Sequence, residues 1–157
     1  LAHWGFPAMS GTATKREVLV GLHAARRGEP VVVVEGSIDA VVCGPGFVSP
    51  LGAGLSPEQA ALLATAQPSE AVILFDPDDA GRKGAQRARE RLSPYMRTTV
   101  AECPPGRDPA DLGREHALSI VADYAGRRVP ALGRLRRPTI RRHDLRSDIG
   151  FGDLKVP

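Results

Sequence analysis

A run of four valines, Val31 to Val34, closed at once by Glu35 and Gly36, constrains this chain more than any other feature. β-Branched residues in an unbroken apolar run suit a strand buried on both faces, as in a parallel sheet. An acid followed by glycine marks where such a strand yields to a loop. The construction returns at Ala71-Val72-Ile73-Leu74-Phe75, which ends in Asp76-Pro77-Asp78-Asp79. Both acid groups are therefore expected at strand carboxyl ends, the edge where open α/β sheets bind ligands. Carboxylates gathered there without Arg or Lys partners make a hard-cation site, with Mg²⁺ the expected occupant and Mn²⁺ a possible substitute.

The remaining pattern alternates strands with helices. Val18, Leu19, Leu22 and Ala25 fall at helical spacing, so the segment from Lys15 to Arg27 reads as a helix stopped by Gly28. A brief helix from Ser37, read as its N-cap, to about Val42 follows the valine strand, and Phe47-Val48-Ser49 is a candidate strand. After a glycine-rich turn over Leu51-Gly52-Ala53-Gly54-Leu55, Ser56-Pro57-Glu58-Gln59 opens a helix to about Ala66, with a capping Ser, Pro at the first helical position and Gln at the third. Asp79, read as a cap, begins a helix to about Leu92; Thr98 to Glu102 is a further strand, and a last helix runs from near Ala110 to Tyr124. The expectation is an α/β fold, a mainly parallel sheet of about four strands with helices on both faces.

Charge divides the chain. Residues 1–126 hold 12 Lys and Arg against 15 Asp and Glu, whereas residues 127–157 hold nine against three. Three parts are expected: a lead-in over 1–14 that belongs to a preceding unit, a catalytic domain over 15–126, and a basic linker or tail over 127–157, able to lie on a phosphate backbone. No run reaches the roughly 18 apolar residues of a membrane span, so the expected location is cytoplasmic, with no membrane partner. Cys43 and Cys103 form no CxxC pair, and His3, His23, His116 and His143 show no ligand spacing.

The order of motifs resembles one family. Glu35-Gly36 with Asp39 four residues on, Leu51-Gly52, Asp76-Pro77-Asp78-Asp79-Ala80-Gly81-Arg82, and Gly106-Arg107-Asp108-Pro109-Ala110-Asp111 together resemble the Toprim domain, over about Lys15 to Tyr124. The closer likeness is to the Toprim domain of bacterial DNA primases and phage primase-helicases. The resemblance implies a Rossmann-like Toprim fold whose Glu and Asp-x-Asp acids hold Mg²⁺ for phosphoryl transfer. It implies Glu35, Asp76 and Asp78 as catalytic residues and Glu35, Asp39, Asp76, Asp78 and Asp108 as metal ligands. The family commonly shows Asp-Pro-Asp where this chain has Asp108-Pro109-Ala110-Asp111, so the second acid is either displaced by one residue or missing, and Asp111 is open between ligand and helix cap.

The residues themselves leave choices open. Asp76 and Asp78, two apart with Pro77 between, can face one ion or form a turn and cap. Glu35 after a buried strand needs a cation, an Arg or a shifted pKa. Asp39 either shares the site or anchors the loop. Gly36, Arg82 and Lys83 are expected near nucleotide or nucleic-acid phosphates, with Lys15 and Arg16 as further cations.

The expected function is Mg-dependent nucleotidyl transfer, as the Toprim catalytic part of a DNA primase making RNA primers. The implied partners are single-stranded DNA, nucleoside triphosphates and a replicative helicase. A complete primase would add a zinc-binding region and a basic amino-terminal part of its polymerase core, so the chain is expected to be a fragment. Two alternatives stand beside this: a Toprim-type metal-dependent nuclease and a non-enzymatic nucleic-acid binding module. Tyr95 and Tyr124 are not placed for topoisomerase strand transfer.

Overall fold

The computed structural model describes residues 14–52 and 54–124. Residues 1–13 of the expected lead-in, the basic tail, Ala53, His3 and His143 lie outside the described residues. Five strands, β1 (Leu19–Val20), β2 (Val31–Val34), β3 (Phe47–Pro50), β4 (Ala71–Phe75) and β5 (Thr98–Glu102), form one sheet in the order β1-β3-β2-β4-β5. All neighbours are parallel except β1, which runs antiparallel to β3 with Leu19 opposite Pro50. The sheet thus has one strand more than expected, and the extra one is a short antiparallel edge.

That strand comes from the segment read as a helix. Lys15–Glu17 and Leu22–Ala24 are single 3₁₀ turns with β1 between them. Gly21, at φ 79°, lies in the left-handed region and breaks helical continuity. A Cβ there would stand 2.2 Å from the Phe47 carbonyl oxygen, so only glycine lets the chain pass so close to β3. Pairing with β3 overrides the local helical spacing.

Among the described residues four helices cover the sheet: α1 (Ser37–Cys43), α2 (Pro57–Thr65), α3 (Asp79–Leu92) and α4 (Pro109–Tyr124). Alternation along β2 and β4 splits their side chains between two cores. Val31, Val33, Ile73 and Phe75 pack with Leu63 of α2 and Leu92 of α3. Val32, Val34, Val72 and Leu74 face Ala40 of α1 and Val121 of α4. All four valines are 1% exposed or less, and each such side chain stabilises the fold by roughly 1.5–3 kcal/mol. Burial on both faces is what makes an unbroken valine run workable.

The capping signal before α2 is realised. Ser56 Oγ accepts from Gln59 N at 3.0 Å and Gln59 Oε1 accepts from Ser56 N at 2.8 Å. Other caps fall one step from expectation. Gly36 rather than Ser37 stands at the cap of α1. Asp78 rather than Asp79 caps α3, its Oδ1 accepting from Gly81 N at 2.6 Å, because Asp78 keeps extended backbone and the helix starts one residue later. α4 is bent at Gly113, whose φ of 69° and ψ of 169° are not helical.

Candidate active site

Glu35 follows the last residue of β2 and Asp76 the last residue of β4, and these strands are neighbours paired Val34 to Leu74. Their loops therefore rise side by side from the carboxyl edge of the sheet. Glu35 Oε2 and Asp76 Oδ1 are both buried and find no hydrogen-bond partner among the described residues. No Lys or Arg among those residues pairs with Glu35, Asp76, Asp78 or Asp108. Burial, then the charges of Glu35, Asp39, Asp108 and Asp78, push the Asp76 carboxyl up to about 6. A buried carboxylate that is unpaired and surrounded by like charge is costly, and a cation offsets the cost.

The acids differ in what already occupies their oxygens. Asp78 Oδ1 is taken by the α3 cap. Asp108 Oδ1 accepts from Asp111 N at 2.7 Å, so Asp108, not Asp111, caps α4. Asp39 is 6% exposed and accepts at both oxygens, from Gly36 N at 3.1 Å and from Ala110 N at 3.0 Å. Burial raises its pKa, those two backbone donors lower it, and the nearby Asp108 and Asp111 charges raise it again. Asp39 thereby ties the loop after Glu35 to the start of α4.

Three clefts follow this edge. The middle one, about 290 Å³, is lined by Asp76, Asp78, Asp108, Asp111 and Arg107. On one flank a cleft of about 370 Å³ holds Glu35, Gly36 and Lys15. On the other, a cleft of about 340 Å³ runs from Asp76 and Pro77 down between α3 and β5. The donors are all oxygens, the chemistry that suits Mg²⁺ or Mn²⁺. Among the described residues no three His, Cys, Asp or Glu side chains are set to hold one ion as they stand. The two orphaned oxygens and the uncompensated charge fit a divalent cation, whose remaining ligands would come from solvent and substrate.

Glycines shape the acid loop. A Cβ on Gly81 would stand 2.2 Å from the Asp76 carbonyl oxygen, and one on Gly84 3.2 Å from the Phe75 ring. Glycine in a helix costs about 1 kcal/mol relative to alanine, and here it lets α3 lie close under the acids.

The expected phosphate contacts are placed unequally. Gly36 N is spent on Asp39. Arg82 donates to Pro77 O at 2.6 Å and pairs with Asp79, so it braces the acid loop. Lys83 is exposed on α3. Lys15 lines the Glu35 cleft because Gln59 Nε2 donates to Lys15 O at 2.9 Å and to Val18 O at 2.8 Å, while Ser56 Oγ donates to Arg16 O at 2.8 Å. That latch joins residues 40 or more apart and leaves no periodic signal in the sequence. Arg107, beside the acids, was present only as part of the Gly-Arg-Asp-Pro motif. Cys43 and Cys103 are buried, which pushes their thiols up to about 11 and about 12, so neither is a nucleophile at neutral pH.

A parallel α/β sheet that presents an unpaired Glu and an Asp-x-Asp pair at one edge defines a Toprim-like domain, and the chain belongs to the Toprim-like family, whose model matches residues 32–112. Within that family it resembles the Toprim domain of bacterial DNA primases. It is 35% identical over 106 residues to the DNA primase of Deinococcus radiodurans, covering 62% of this chain and 19% of that protein. It is 31% identical over 151 residues to the DNA primase of Mycolicibacterium smegmatis, covering 87% of this chain and 24% of that protein. The chain thus spans less than a quarter of either relative. Among solved structures it is similar to the Aquifex aeolicus primase zinc-binding and RNA polymerase domains, with 27% identity, a TM-score of 0.65, and coverage of 74% of this chain and 32% of that one. The E. coli primase catalytic core matches with 28% identity, a TM-score of 0.64, and coverage of 74% and 42%. Among the described residues no helix is long and apolar enough to cross a membrane.

Proposed function

We propose that this chain is the metal-binding catalytic part of a cytoplasmic DNA primase, serving nucleotidyl transfer from nucleoside triphosphates on a single-stranded DNA template. One observation carries the reading: Glu35 and Asp76 stand at the ends of adjacent parallel strands, each with a buried oxygen that lacks a partner among the described residues. A primase of Aquifex and one of E. coli share the fold, and a primase catalytic domain bound to single-stranded DNA is a further structural neighbour at 27% identity.

Glu35, Asp76, Asp78 and Asp108 are assigned as the residues that would hold Mg²⁺. A divalent ion there neutralises the charge that builds on phosphate oxygens during transfer. The remaining work falls to the chain. Asp78 and Asp108 each keep one oxygen on a helix cap, which holds the side chain in place and leaves the second oxygen for an ion. Arg82 holds the Pro77 turn against α3. Asp39 is assigned to positioning, since both its oxygens already accept backbone N–H groups. Lys15 and Arg107 flank the acids and supply positive charge to phosphates. Rim cations beside carboxylates let an anionic substrate approach an acidic edge.

The test is Mn²⁺ or Mg²⁺ binding by the chain, with and without a nucleoside triphosphate, against an Asp76→Asn/Asp78→Asn variant. Asn at position 78 still caps a helix, so the fold is kept. Binding that nucleotide strengthens and the variant loses is the expected result. A folded parent chain that binds neither ion, alone or with nucleotide, would overturn the reading.

A further inference from the structure

We propose that the cleft between α3 and β5 seats the nucleoside end of the nucleotide whose phosphates lie at the acidic edge, an inference that rests on the function proposed above. The cleft and the acidic opening are continuous, because Asp76 and Pro77 line both. Its volume of about 340 Å³ falls in the range of small-molecule sites, roughly 300–1,000 Å³.

The lining matches the two chemical faces of a base and sugar. Phe75, Ala85 and Val100 make an apolar floor, suited to the flat face of a base. Gln86 and Arg89 stand three apart on α3, and Glu102 faces them from β5, so donors and acceptors border the floor on both sides. The Arg89 side chain is exposed and makes no hydrogen bond or ion pair with another described residue. Gln86 bonds only the exposed Glu90, at 3.0 Å, and is free to exchange that contact.

Charge sets the direction. The flank beyond Glu35 is lined by Lys15, Gly36, Ser37, Pro50, Leu51 and Gly52, which offer one cation to phosphate oxygens and no aromatic side chain to a base. The α3/β5 flank carries an apolar floor that includes the Phe75 ring. The nucleotide therefore spans the edge with its phosphates over the carboxylates and its nucleoside toward Arg89. The cleft is too small for a folded partner, and its size suits a small ligand.

Affinities of the whole chain for ATP, for UTP and for inorganic tripolyphosphate, all with Mn²⁺, test this. The variants are Gln86→Trp, which fills the cleft from its exposed wall, and Arg89→Ala, which removes a partner. Both positions are exposed on α3, and Arg89→Ala is conservative for folding. The expected result is that ATP binds the parent at least about tenfold more tightly than tripolyphosphate, that each variant erases most of this difference, and that tripolyphosphate affinity does not move. Equal affinities for ATP and tripolyphosphate in the parent would overturn the cleft assignment and leave the metal site standing. Loss of ATP and tripolyphosphate together in the variants would also overturn it, since a phosphate effect would then explain the change. If neither ligand binds the parent chain, the assignment falls together with the function it rests on. A preference between ATP and UTP supports base contacts, whereas equal binding of both above tripolyphosphate supports contacts to sugar and ring face.

Discussion

The Asp39 carboxylate and the backbone N–H of Ala110 are 71 residues apart in sequence and meet at 3.0 Å. The other Asp39 oxygen accepts from Gly36 N at 3.1 Å. One buried side chain therefore sets the distance between the loop after Glu35 and the helix that begins beside Asp108.

Removing that strap strands two N–H groups. Asp39→Ala is expected to destabilise the fold by roughly 2–4 kcal/mol. Asp39→Asn keeps one acceptor and loses about half as much. Urea unfolding of the three proteins reads the series. An alanine variant within about 0.5 kcal/mol of the parent would dismiss the strap.

The Asp76 carboxyl, held up to about 6, gives a pH signature. The unfolded chain releases that proton near the ordinary Asp value of 3.8. Between these values the folded chain binds more protons than the unfolded one, so this contribution to stability is present below about pH 4 and is lost as pH rises through about 6. Asp76→Asn should remove the fall from the stability–pH curve. In the parent, millimolar Mg²⁺ should raise the melting temperature more at pH 7 than at pH 5, because the ion needs the carboxylate deprotonated. Identical curves for parent and Asn variant would show that Asp76 is not so perturbed.

Gly81 and Gly84 separate two kinds of close contact. Gly81→Ala drives a methyl into the Asp76 backbone, which cannot move aside without shifting the carboxylate. A loss of about 1–3 kcal/mol is expected, together with weaker Mn²⁺ binding. Gly84→Ala meets only a ring edge at 3.2 Å, and the gain in helix propensity of about 1 kcal/mol offsets that contact. Thermal melts with Mn²⁺ titrations distinguish them, and equal metal affinities in the two variants would break the link between Gly81 and the acid loop.

Gln59 is 2% exposed and its amide holds the Lys15 and Val18 carbonyls. Gln59→Ala should cost roughly 2–4 kcal/mol and free the segment ahead of β1. Brief trypsin treatment is expected to cut after Lys15 or Arg16 faster in this variant, which loses two bonds to that segment, than in Ser56→Ala, which loses one bond to Arg16 O and a cap worth about 1 kcal/mol. The reverse order of cleavage would assign the latch to Ser56.

Much of this was legible along the chain because the governing interactions are local. The valine run, the Ala71–Phe75 strand and the Ser56–Gln59 box each announce themselves within a few residues, and α3 begins at Asp79 and ends at Leu92 as read. The segment 15–27 was misread because its helical spacing is overruled by partners elsewhere: β3 pairs with Leu19 and Val20, and Gln59 grips the carbonyls before them. The acids were legible as a group. Which of them hold helices was not, because capping depends on where the backbone turns, and that moved the caps to Asp78 and Asp108. The attachment of Asp39 to Ala110 is a long-range contact that no spacing encodes.

Placing Glu35 and Asp76 at the tips of β2 and β4 has a consequence for how the protein comes apart. Those strands occupy the middle of the sheet, flanked by β3 and β5, while the two-residue β1 lies at the rim. Backbone amides near the rim exchange with solvent through small openings, whereas those of the innermost strands exchange only when the whole unit opens. Fraying of β1 therefore leaves the carboxylate pair in register. Glu35 and Asp76 are thus held by the two innermost strands, and loosening of the β1 rim is expected to leave their spacing unchanged until the central sheet itself opens.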